Sequence, residues 1–168
     1  MASDRFHGID GKTQTELLTI ESCISRTFKN PVLLLEALQF PRSIVGWHGS
    51  DDNTGLQVVG SNAISLARAA VEYNYTGLAN SRVSNETHNT MWLEDSVSVC
   101  GRKIGWLDMI ERSGYGGDQN EATAILRLTI KALMGAVYID GGMEAVVVVL
   151  DEYDDHLIRA SLGREGGG

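Results

Sequence analysis

An all-α domain is the fold class that the sequence predicts, and three observations predict it. Apolar residues recur at helical spacing, i, i+3, i+4 and i+7, in several separate segments. Asn30-Pro31 pairs a helix cap with a first-turn proline. No clear strand stands out beyond one short apolar run. The one strand-like run is the four valines of "AVVVVL" (145–150), and four β-branched residues in a row favour a strand locally. With no other clear strand to pair with, and with Leu150, Leu157 and Ile158 following, that run is read as helix.

The elements follow in order. A first helix is expected from about Thr15 to Phe28, with Leu17, Ile20, Cys23, Ile24 and Phe28 as its apolar stripe. Asn30 then caps a short helix through "VLLLEAL" (32–38). "PRSIVGWHGSDDNTG" (41–55) is rich in Pro, Gly, Ser and Asp and reads as a loop. A helix follows from about Thr54 to Tyr73, with Leu56, Val59, Ala63, Leu66, Ala67 and Ala70 expected to be buried. The stretch 76–105 is expected to hold one or two helices, and "RSGYGGDQ" (112–119) is a glycine-rich loop. A helix from about Gln119 to Ile139 is apolar on nearly every side, the pattern of a central buried helix. Asp140-Gly141-Gly142 ends it. The domain organisation read here is an N-terminal arm (1–12), one domain (13–162) and a flexible glycine-rich tail (163–168).

Bulk composition narrows the function. Apolar residues make up 43% and charged residues 21% of the 168, a globular balance. No uninterrupted apolar run approaches the ~20 residues of a membrane span, and "MASDRFHGID" has no apolar signal core. A cytoplasmic location with no membrane association is therefore expected. Cys23 and Cys100 have no metal-like spacing and read as free buried thiols, a disulfide between them staying open. The formal net charge is −8. Nucleic-acid binders usually present a basic face, because phosphate contacts supply most non-specific affinity. Here the only local basic pair is Arg102-Lys103, so nucleic acid is not expected as a partner.

One feature of the 54–73 helix is unusual. In "LQVVGSNAISL" (56–66), Gln57, Ser61 and Ser65 recur every four residues and share one face. Neutral polar groups in a row on an otherwise apolar helix invite two readings. They are a satisfied polar column inside a bundle, Ser61 bonding back to the carbonyl of Gln57, or they line a site. Asn53 begins the same face and is the candidate helix cap.

The order of segments resembles the endonuclease domain of the ribonuclease III family. "FKNPVLLLEALQFPR" (28–42) is similar to the family's opening, a phenylalanine followed by a leucine-rich helix. "NTGLQVVGSNAISL" (53–66) is similar to its signature Asn-Glu-Arg-Leu-Glu-Phe-Leu-Gly-Asp-Ala-Val-Leu. "KALMGAVYIDGG" (131–142) is similar to its Glu-Ala-Leu-Ile-Gly-Ala-Ile-Tyr-Leu-Asp-Gly-Gly. The resemblance covers roughly residues 13–160. It implies an all-helical homodimer, with Val58-Val59 in the dimer seam, that cuts double-stranded RNA with magnesium held by four carboxylates on two helices. Carried onto this sequence, those four positions are Gln57, Ser61, Leu128 and Lys131. None is a carboxylate.

The chemistry of that change is severe. Magnesium prefers carboxylate oxygens in octahedral geometry. Gln57 keeps a neutral oxygen, Ser61 a short hydroxyl, Leu128 nothing, and Lys131 brings a cation. A unit-charge pair at about 4 Å contributes about 4 kcal/mol at an effective dielectric of ~20. Exchanging attraction for repulsion therefore outweighs any affinity the remaining donors supply. No metal ligand set and no cofactor are expected.

The function expected is a ribonuclease III-fold protein without metal-dependent RNA cleavage. It would bind a partner or small ligand in the former catalytic valley through Asn53, Gln57, Ser61 and Lys131. Lys131 is read either as a rim residue with its stem on the core, or as a cation that anchors an anionic ligand or polarises a carbonyl. An alternative is a metal-free enzyme that isomerises, cyclises or epimerises a small organic substrate. Lys131 and His88 would then be its acid–base residues. A second alternative is an RNA-binding pseudonuclease. The partners expected are a second copy of the chain and a small-molecule ligand or protein.

Overall fold

The computed structural model describes residues 6–39, 53–76 and 119–162. Within them the ordered elements are four helices: α1 (Gly11–Cys23), α2 (Pro31–Ala37), α3 (Thr54–Thr76) and α4 (Gln119–Leu162). No strand occurs among the described residues, and the valine run 146–149 lies within α4. The all-α reading therefore holds.

Helix α1 begins at Gly11, earlier than its apolar stripe predicts, because Asp10 caps it. One Asp10 oxygen accepts from the Lys12 and Thr13 amides at 3.1 Å, and the other accepts from the Thr13 hydroxyl at 2.5 Å. Those bonds, the Thr13 hydroxyl foremost, hold the Asp10 carboxyl below its ordinary value. Phe6 and Ile9, in the segment read as an arm, pack against the core. The helix also stops earlier than predicted, at Cys23. Ser25 adopts φ 48°, the left-handed conformation. Arg26 N–H then reaches the Glu21 carbonyl at 2.9 Å and Ser25 N–H the Ser22 carbonyl, which caps the exposed carbonyl end. Buried Glu21 accepts the Phe28 N–H at 2.7 Å and carries the chain into the next helix. As predicted, Asn30 caps α2, accepting from the Val32 amide at 3.1 Å with Pro31 in the first turn.

The long helix α4 is the centre of the molecule and packs chiefly against α3, then α2. From Ile125 to Val137 nearly every residue is buried, and Ala132, Met134, Ala136 and Val137 have no exposed surface. By length and composition residues 124–151 would suffice to cross a membrane, a property that the search for uninterrupted apolar runs does not detect. Half of the apolar stretch is buried inside the molecule.

Two glycines decide how closely α3 and α4 approach. A Cβ at Gly60 would overlap the Lys131 carbonyl oxygen and lie 2.6 Å from the Gly135 nitrogen. A Cβ at Gly135 would overlap the Leu56 carbonyl and lie 3.1 Å from the Gly60 nitrogen. The two backbones therefore touch, with Leu56, Ala63 and Ala67 buried along the same side of α3. Leu66 and Ala70, predicted to be buried, are instead exposed, Leu66 by 59%, while Ile64 takes a place in the core. The contact centres on Gly60, and Leu66 falls on the far side of the helix from it.

Asp140-Gly141-Gly142 does more than end a helix. The Asp140 carboxylate, 1% exposed, accepts from the Arg26 guanidinium at 2.9 Å and from the Asn30 amide at 3.0 Å. A Cβ at Gly141 would strike that guanidinium, so the glycine clears its path. Gly142 takes φ 71° and breaks α4 into two arms, 119–141 and 143–162. The acid thus ties the α1–α2 connection to the break.

Gly60→Ala or Gly135→Ala should cost about 2–3 kcal/mol or more, the range of overpacked cores. Gly55→Ala, with nothing near its Cβ, should instead stabilise by about 0.5 kcal/mol. Urea unfolding of the three variants checks both signs.

A pH dependence follows from Asp140. Burial alone would raise its carboxyl, but the Asn30 and Lys29 amides and the Arg26 guanidinium outweigh that and hold it below the ordinary carboxylate value. A depressed folded-state value stabilises the fold above the unfolded carboxylate pKa of about 3.9, and the contribution disappears as pH falls through the lower folded value. Melting temperature should therefore drop as pH is lowered below about 4, and Asp140→Asn should flatten that acid limb while lowering stability at neutral pH.

Candidate functional site

The glycine crossing assembles the candidate site. Gln57 and Ser61 flank Gly60 on α3. Leu128, Lys131 and Gly135 share one stripe of α4 at i, i+3 and i+7. Because the Gly60 backbone rests on Lys131 and Gly135, all four positions lie within about one helical turn of the contact. Each of Gln57, Ser61, Leu128 and Lys131 is half-buried, as residues lining a shallow valley would be.

Asn53 is fully buried and organises the N-terminal end. Its amide nitrogen donates to the Ala37 carbonyl at 2.7 Å, tying α3 to the end of α2. Its side-chain oxygen accepts from Gln57 Nε2 at 2.5 Å, and its carbonyl accepts the Gln57 N–H at 3.0 Å. Gln57 is thereby held in one orientation, with one amide N–H on Asn53 and its second N–H and Oε1 left over. The buried asparagine acts as a bolt between two helices as well as a cap, which the sequence alone does not show. Ser65 donates its hydroxyl to the Ser61 carbonyl at 2.9 Å, the same back-bonding that the polar row invited for Ser61.

Lys131 touches α3 through its backbone, and among the described residues its ammonium makes no hydrogen bond or ion pair. Neither 53–70 nor 124–139 contains an Asp or Glu, although the chain has 22. No group of three or more His, Cys, Asp or Glu side chains that could hold a metal occurs among the described residues. The four positions that the resemblance assigns to magnesium ligands offer an amide oxygen, a hydroxyl, an alkyl group and an ammonium. That donor set does not fit a hard dication. His88 and Cys100 lie outside the described residues, so only Cys23, a half-buried free thiol, is placed.

Three proteins named ribonuclease 3 are similar to this chain. The one from Caldanaerobacter subterraneus subsp. tengcongensis is 32% identical over 158 residues, covering 89% of this chain and 68% of the relative. The chain belongs to the ribonuclease III family. The relative from Anaplasma marginale is 28% identical over 143 residues, and that from Cereibacter sphaeroides 25% over 136. The chain spans 59% and 58% of these two relatives' lengths. No family model matches the chain. Within this ribonuclease III-family fold, the residues that sequence reasoning passed over are Gly60 and Gly135 as a pair. Their signal was legible, since a glycine inside an otherwise regular helix usually marks a close approach.

Asn53→Ala should cost about 1–3 kcal/mol, the range for stripping a buried carbonyl of its donor. Gln57→Ala should cost less, because Asn53 keeps its bond to Ala37. A double-mutant cycle on chemical unfolding reads the 53–57 coupling directly.

Proposed function

We propose that this ribonuclease III-family chain has given up metal-dependent RNA cleavage and uses the valley at the α3–α4 crossing to bind a small ligand. The observation that carries the reading is the set of side chains around the glycine contact: Gln57, Ser61, Leu128 and Lys131, none of them anionic. Family chemistry at these positions would need a dication to stabilise developing charge and activate water. An ammonium and an alkyl group in place of two carboxylates oppose both steps. All four residues are half-buried, so each is partly open to a ligand.

A homodimer belongs to the same proposal. Val58 and Leu66 are 58% and 59% exposed, and with Gly55, Asn62 and Ala69 they form an outward strip along α3. A strip of that kind suits a second copy of the chain. Metal-free acid–base catalysis on a bound organic substrate is a second reading, favoured by Lys131, which stands half-buried on a stretch of α4 (124–139) that carries no acid.

The test is cleavage of duplex RNA by the purified protein in magnesium or manganese. The expected result is no metal-dependent product, and no rise in melting temperature on adding either ion. Cleavage that requires the ion and is lost in Ser61→Ala or Lys131→Ala would overturn the proposal.

A further inference from the structure

We draw no further inference here: the strongest candidate, the exposed apolar surface of α4 at Tyr138, Ile139 and Val148 on the two arms beside the Gly142 break, carries nothing, because nothing in the structure shows what covers it.

Discussion

The structure depends on one contact, the approach of two helix backbones at Gly60 and Gly135. Side chains normally hold helix axes 8–10 Å apart. Here the Lys131 carbonyl occupies the space that a Cβ at residue 60 would fill, and the Leu56 carbonyl does the same at residue 135. So close a contact brings the residues beside it into one small region. Gln57, Ser61, Leu128 and Lys131 become neighbours because the glycines between them are bare. The core around the contact is small on one side (Ala63, Ala67, Ala132, Ala136) and large on the other (Leu126, Leu133, Met134), which lets α4 be buried on nearly all sides.

Polar anchors then fix the ends. Asn53 holds the start of α3 to the end of α2, and Asp140 holds the break in α4 to the α1–α2 connection. Both anchors are buried, and both are satisfied by more than one donor or acceptor, as a buried polar group must be. They brace the crossing from opposite ends of the chain. The α3–α4 crossing is therefore held at both ends.

Along the crossing, the described segments 53–70 and 124–139 carry no acid. The four positions that the resemblance assigns to metal ligands carry an amide, a hydroxyl, an alkyl group and an ammonium. The packing rests on Gly60, Gly135 and the alanines around them, and these four half-buried positions lie beside that contact.

Sequence by itself determined the helical class, the Asn30-Pro31 cap, the glycine break after Asp140 and the family membership, because periodicity, capping and motif order are local properties of the chain. It also gave the residues at the four positions that the resemblance assigns to metal ligands, since identity at a position can be read without coordinates. Only the tertiary structure decided which face of α3 is buried. Leu66 fits an apolar stripe on paper, yet the stripe is set by where Gly60 meets α4, and Leu66 falls outside it. It alone revealed Asn53 reaching Ala37 and Arg26 reaching Asp140 across 114 residues. Such pairings arise when distant segments fold against each other, and no pattern along the chain encodes the distance between them.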